Sequence, residues 1–519
     1  MMDEYVNQKP LQDKVQPYRY NNMPPSREWI FAKHDALFAW LCLPLGFLFT
    51  RYVLCNVDGF ATTGFFLLML FGCIGYIRKS GGKLNGSHRL FGCLLAVFSL
   101  VFSISASSIL HGLTFIFLAL GIPWFTRSAL NNRPFVSKFF LMDALESLFS
   151  GISKEYPAAF KSMKAASQNS KAGNNIRIIA IGLLAAIPLT IIVGNLLISA
   201  DDNIERLFKQ LTLNISDDAA TIIFELLITI PISAGLFAIF FAANDTEHFP
   251  TQKDIDYENK FSHLRKIPNL GLYVSVTPIC LLYLLYIISQ TTYFCSAFFG
   301  ILPDSGMTYA QYARRGFFEL CAIAVINLIV LLILMFCSNK SGKNRPLSLK
   351  IYGSLICLFT LFIITTAIAK MVLYINAYGL TQLRLFTAWF MVLLAVIFVV
   401  LLVRQFRELP TSKILVTGFV VLFGILCFSR PDALIASYNI SRYENGTLRE
   451  LDVRMLCSLS DDTYAVMLNH ADTIAAAEKE KYFTEKLTGR YSDYKYDSLQ
   501  TWNISSYFVK SKCHEWVDE

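Results

Sequence analysis

The chain has 519 residues, of which 54% are hydrophobic and only 16% charged, with 43 Phe and a formal net charge of +8. Soluble globular chains carry roughly 25% charged residues, so this composition excludes a water-soluble domain and indicates a membrane protein. The charge is uneven, +13 over residues 1–430 and −5 over residues 431–519; the basic excess is scattered over short loops between apolar runs, which marks topology and gives no reason to expect a nucleic-acid surface.

Residues 1–34 carry Lys9, Lys14, Arg19, Arg27 and Lys33 with Pro24 and Pro25, and read as a cytoplasmic arm. No cleavable signal peptide is expected, because no small-residue cleavage pattern follows the first apolar run. Spans are expected at about 36–54 and 59–77, each near the roughly 20 residues needed to cross a bilayer. The run from Leu90 to Phe125 is too long for one crossing and short for two. Basic loops flank it on both sides, so an even number of crossings is required, and two are expected with a turn near Ser105 to Ser108.

Residues 126–176 form the longest internal polar segment. Within it Phe135, Phe139, Met142, Leu145, Phe149 and Ile152 recur at helical spacing, which predicts an amphipathic cytoplasmic helix that either packs beneath the membrane domain or lies in the interface. Further spans are expected at about 178–199, leaving on Asp201 and Asp202; 219–243, containing Glu225 and Pro231; and 270–290, containing Pro278. The next begins with the polar stretch TYAQYARRGFFEL and continues to Cys337. The last three are expected at about 351–374, 384–403 and 414–429. His248 and His263 are too widely separated to suggest a ligand pair, and KSGGKLNGS at 79–87 is a glycine-containing loop without a nucleotide-binding pattern.

Residues 431–519 are polar and acidic, with helical patterns over 432–443, 451–458, 463–470 and 471–488. They predict a small, mostly helical domain that leans on the membrane domain for stability. The expected fold is all-α: a polytopic helical membrane bundle of about 11 transmembrane helices over 35–430 with a small helical extracytoplasmic C-terminal domain over 431–519. The bias of Lys and Arg places the N-terminus in the cytoplasm and the C-terminus outside. Asn439, Asn445 and Asn503 match glycosylation sequons. Among twelve Cys there is no CxxC pair, so no metal site is expected. Cys457 and Cys513 lie in the polar tail, where an outside location permits a disulfide.

Ionisable residues in apolar surroundings are costly unless paired or wet. The expected topology puts Glu225, Arg314, Arg315, Glu319, Lys370 and Arg384 at one depth near the outer face. The reading placed first is a structural ion-pair network in which Glu225 and Glu319 neutralise Arg315 and Lys370. The alternatives are a cationic ligand-binding pocket for an anionic headgroup, peptide or cell-wall fragment, and simple snorkelling of long side chains. Asn195, Gln290 and Asn327 are expected to hydrogen-bond between helices, and His111, between the third and fourth spans, to be held by hydrogen bonds. No GxSxG, HExxH or GxxxxGK[ST] pattern occurs; no catalytic residue and no cofactor is therefore expected, and nothing in the residues indicates enzymatic activity.

The motifs TYAQYARRGFFEL (308–320), INAYGLTQLRLFTAWFM (375–391), SRPDALIASYNISRY (429–443) and SLQTWNIS (498–505) resemble those of a bacterial integral-membrane family, domain of unknown function 4173. Leu451, Asp452 and Leu456 fit that family's tail pattern, whereas Asp462 to Val466 departs from it. The resemblance implies a polytopic cell-membrane protein with a C-terminal appendage and supplies no activity, substrate or catalytic residue. The sequence thus points to a non-enzymatic envelope sensor or assembly partner, touching membrane lipids and docking an envelope protein through residues 431–519. The alternative is a transporter or flippase of an anionic or lipid-like solute.

Overall fold

The computed structural model describes residues 31–54, 57–168, 218–243, 268–299, 317–338, 346–477, 482–494 and 502–518. Among them no β-strand forms, and ten helices are long and apolar enough to cross a membrane. The first, α1 (Lys33–Phe49), ends in a π-turn (Thr50–Leu54) and is followed by α2 (Gly59–Lys79). The long run then divides as expected: α3 (Gly86–Ser99) and the short α4 (Val101–Ile104) make one crossing, residues 105–107 turn, and α5 (Ser108–Leu130) makes the next. Three polar or small residues suffice for the turn because its polar groups are bonded: the Ala106 amide to the C-terminal region, the Ser107 amide to Ser105 Oγ and the Ser105 carbonyl to His111.

The amphipathic segment becomes α6 (Phe140–Lys154) and α7 (Ala158–Gln168). Phe135 and Phe139 precede the helix. Asp143, Ala144 and Ser147 are buried, while Leu141, Met142, Leu145 and Phe149 form an exposed stripe. The helix is held to the bundle by a mixed face and turns its apolar stripe away from the protein, the arrangement of an interfacial helix. The expected span over 178–199, and Asn195, Asp201, Asp202, His248 and His263, lie outside the described residues. Four spans follow: α8 (Asp218–Ala243), α9 (Asn269–Phe299), α10 (Phe317–Cys337) and α11 (Leu347–Tyr378). The membrane helices finish with α12 (Gln382–Phe406) and α13 (Thr411–Phe428).

Two large apolar cores organise the spans, beside a smaller one that joins α9 to α10 and α11. One gathers α1, α2, α3, α4, α5 and α8, and takes Phe423, Leu426 and Cys427 from α13. The other gathers α10, α11 and α12. The helix α13 therefore joins them, packing on α12 while presenting its aromatic face to the first core. Within the first core α1 and α8 approach closely at Gly46, where an added Cβ would clash with Ser233. Small residues at such crossings let backbones come together where burial in lipid offers no hydrophobic driving force. In the second, Tyr283 donates to Asn327 at 2.5 Å and the Asn327 amide donates to Thr360 at 2.9 Å, so Asn327 links α9, α10 and α11 as expected of a polar residue in a span.

The C-terminal region contains α14 (Pro431–Glu444), α15 (Val453–Cys457), α16 (Asp461–Met467) with a 3₁₀ turn (Leu468–His470), α17 (Ala471–Ala477), α18 (Tyr482–Tyr494) and α19 (Ile504–Asp518). The last helix is absent from the sequence-based expectation, since its apolar residues are few and lack a clean stripe. These helices share a core with Leu380 of the turn between α11 and α12. Contacts sort the bundle's ends consistently. At one, Asn131 after α5 donates to the Ala243 carbonyl ending α8, and Ser412 opening α13 donates to the Lys138 carbonyl. At the other, the turn 105–107, Phe60 and the turn 378–381 meet residues of the C-terminal region.

Candidate functional site

The site with the densest polar chemistry lies where the C-terminal helices meet the span ends. Asp462, in the first turn of α16, is fully buried. Its Oδ2 accepts from Ser105 Oγ at 2.5 Å and from the Ala106 amide at 3.3 Å, while its Oδ1 accepts from Arg430 Nη2 at 2.9 Å and from Ser505 Oγ. One carboxylate thus ties together the turn between α4 and α5, the junction between α13 and α14, and the start of α19. Arg430 also donates to Ser505 Oγ at 2.5 Å and sits at φ +50°, ψ +69°. That left-handed conformation is unfavourable for a residue with a Cβ and costs about 1 kcal/mol or more; Pro431 at the first helical position follows it with a preset φ. The guanidinium's two acceptors hold the strained corner in place.

A second buried carboxylate, Asp432 in the first turn of α14, accepts from Gln382 Nε2 at 2.7 Å and from Ser460 Oγ at 2.6 Å, which joins α14 to the first residue of α12. A third, Asp461, pairs with Arg490 and accepts from Ser506 Oγ at 2.6 Å. Asn439 completes the seam: its Oδ1 accepts from the Leu380 amide at 2.7 Å and its Nδ2 donates to the Leu380 carbonyl at 2.8 Å. Burial, and then the proximity of Cys457, raises the Tyr464 phenol above its ordinary range. The Cys513 thiol is pushed up to about 11 by burial first and by Asp461 second. Cys457 and Cys513 are separate buried thiols in this core, without the disulfide that an outside location would permit.

A polar chain continues from the seam into the membrane domain. His111 Nε2 hydrogen-bonds the Ser105 carbonyl at 2.8 Å and Nδ1 hydrogen-bonds Asp58 Oδ1 at 2.5 Å. A carbonyl only accepts, so Nε2 carries a proton, and the Asp58 bond holds either an imidazolium against a carboxylate or a carboxylic acid against neutral imidazole. Asp58 immediately precedes α2, so the chain links α2, α5, the 105–107 turn and α16. A lone His in a span was expected to be held by hydrogen bonds, and it is.

The six charged residues singled out in the sequence do not form one cluster among the described residues. Glu225 pairs with Arg51, in the π-turn ending α1, at 3.0 Å. Its helix α8 packs on α1, α5, α6 and α7, so geometry gives it a partner from the first span. Arg51 lies inside the expected first span and was the signal overlooked. Arg384 donates to the carbonyls of Tyr378 at 3.1 Å and Gly379 at 2.5 Å and stacks on the Tyr374 ring at 3.9 Å; it closes the C-terminus of α11, whose last carbonyls need partners. Lys370 is buried on α11, and Glu319 is exposed at the start of α10. Arg314 and Arg315 lie outside the described residues. Two sequons are closed by folding, since Asn439 is engaged by Leu380 and buried Asn503 accepts from the Ser506 amide at 2.8 Å; Asn445 is exposed. Among the described residues no group of His, Cys, Asp and Glu is arranged to hold a metal ion.

Fold and seam together define a multi-pass helical membrane protein with its C-terminal helices fastened to the span ends. Residues 92–470 match the family model described as domain of unknown function (DUF4153), and the chain belongs to that family. The family number differs from the 4173 suggested by the motifs, while the class, a family of unknown function, stands. The matched region begins within α3 and ends with the 3₁₀ turn after α16, so it contains Ser105, Arg430 and Asp462 but not Ser505. No curated protein and no solved structure matches the chain.

Proposed function

We propose that the chain is a cell-membrane sensor or assembly partner whose C-terminal helices form an outward docking module rigidly coupled to the spans. The observation that carries this reading is the buried Asp462 carboxylate shared by three parts of the chain. A module merely tethered by a linker has no need of a desolvated charge at its root, which is costly unless fully satisfied. A partner that shifts α16 or α19 therefore also moves the 105–107 turn and, through His111 and Asp58, the ends of α2 and α5.

The outward placement rests on charge. The end of the bundle opposite the seam carries Arg78, Lys79, Lys83, Arg89, Arg133, Lys138, Arg407 and Lys413, and short loops rich in Lys and Arg stay cytoplasmic. The exposed Trp502, whose carbonyl accepts from the Phe60 amide, and the exposed Tyr507 and Phe508 fit aromatic side chains at a membrane–water interface.

Single cysteines placed at exposed Glu450 and Lys486, in a background lacking the other reactive thiols, test the reading. Membrane-impermeant maleimide should label both in intact cells, and a crosslinked partner should disappear when residues 431–519 are removed. Labelling only after lysis refutes the orientation. Labelling near Glu225 and Lys370 that alternates between the two sides with an added solute would identify a transporter of an anionic or lipid-like solute instead.

A further inference from the structure

Residues 80–85 return α2 to α3 at the end of the bundle opposite the seam, and the two helices leave between them a groove of about 740 Å³. Its walls follow the helical repeat. Leu67, Phe71 and Ile74 line it from α2, Ala96 lines it from α3, and Phe125 of α5 forms part of the floor. Gly92 and Ala96 keep the α3 wall low. Arg78 and Arg89 stand together at one end of this apolar channel.

That end has two features suited to an anion. Both guanidiniums are exposed and, among the described residues, neither pairs with a carboxylate; Arg89 uses its Nε on the Leu84 carbonyl at 3.2 Å, leaving its terminal nitrogens to other acceptors. The N-terminus of the 14-residue helix α3 opens here, and Asn85 before it supplies no side-chain cap, so first-turn amides and the helix dipole favour negative charge.

We propose that this groove binds one anionic phospholipid, its phosphate against Arg78 and Arg89 and an acyl chain lying between Leu67 and Ala96. Charge complementarity selects the occupant. A soluble anion would leave the apolar channel unused, and a zwitterionic lipid would bring its own cation to two guanidiniums that already need an acceptor. Basic pockets between spans recognise anionic headgroups by this logic. The inference holds for either orientation of the chain and does not depend on the docking role of the C-terminal helices.

The test uses the full chain in nanodiscs of phosphatidylcholine with a minor fraction of phosphatidylglycerol, followed by native mass spectrometry after detergent release. One phosphatidylglycerol should be retained in strong preference to phosphatidylcholine. The double variant Arg78→Gln, Arg89→Gln should weaken that preference roughly thirtyfold, from the usual effect of two basic residues at an anionic surface. The double Lys variant should keep most of it. Ala96→Phe, which fills the channel and leaves the charges, should lose retention while elution on size exclusion stays that of the parent. Equal retention of the two lipids, or an unchanged preference in the double Gln variant, overturns the proposal. Displacement by inorganic phosphate as effective as that by lipid overturns the lipid assignment in favour of a soluble anion.

Discussion

Replacing Asp462 by Ala removes the acceptor for Ser105 Oγ, the Ala106 amide, Arg430 Nη2 and Ser505 Oγ at once. Removing one member of a buried pair costs roughly 3–5 kcal/mol because the remaining charge stays desolvated. Here the guanidinium is 35% exposed and can recover water, and Ser505 has a second acceptor in the Ile104 carbonyl at 3.4 Å. Both facts favour the lower end, about 3 kcal/mol, which is on the order of a hundredfold in an opening equilibrium. Asp462→Asn keeps the shape and one good acceptor but turns a donor toward the Ala106 amide, for about 1–2 kcal/mol. Hydrogen exchange of the reconstituted protein reads the effect by segment. Protection over Pro431–Glu444 and Asp461–Met467 should fall by about two orders of magnitude in the Ala variant and about one in the Asn variant. Exchange in Leu347–Tyr378 should not change. Parent-like protection of the C-terminal helices in Asp462→Ala would refute the argument that this carboxylate fastens them to the spans.

Other consequences follow from single contacts. Arg51→Glu and Glu225→Arg should each lower thermal stability and the double swap should restore it, with a coupling of about 1 kcal/mol, because the pair is 35% and 17% exposed. Gly379→Ala should destabilise by more than 1 kcal/mol: Gly379 has φ +77°, and a Cβ there would lie 2.6 Å from Asn439 Oδ1. Asn439→Ala, which leaves the buried Leu380 amide and carbonyl without their partner, should cost about 2–3 kcal/mol in a thermal-shift measurement. Glu444 has its carboxyl held below the ordinary value of 4.5 by hydrogen bonds first from Thr473 and then from His470. A depressed carboxyl contributes stability above its unfolded value and loses it as pH falls through the folded one. Exchange protection of Ala471–Ala477 should therefore hold steady down to about pH 4.5 and weaken below it, and Glu444→Gln should abolish that dependence.

Much of the architecture was legible because lipid makes a simple demand on composition. Each apolar run needs internal hydrogen bonding and enough length, so the spans, including the division of the Leu90 to Phe125 run, could be placed from residue types and flanking charges. Asn327 was legible for a related reason: a polar amide in a span has only neighbouring helices to bond to. The ion-pair partners were not legible. Glu225 and Lys370 sit at comparable depths, and depth is all that hydropathy reports; which faces meet depends on helix rotation and neighbour choice. The last helix, α19, escaped notice because its buried residues, Ser505, Val509 and Cys513, are too small and mixed to give a stripe.

The sequence by itself determined that this chain crosses the membrane many times as helices, that its acidic tail is a separate helical region, and that no familiar catalytic pattern is present. Those conclusions rest on terms that add residue by residue, namely apolar length and charge balance. Only the tertiary structure decided that Asp462, marked in the sequence only as the start of a departure from the family's tail pattern, binds the 105–107 turn some 350 residues earlier, and that Arg51 answers Glu225. Such contacts depend on direction and on distance in space, and a buried carboxylate takes whichever donors the packing of distant helices brings within about 3 Å.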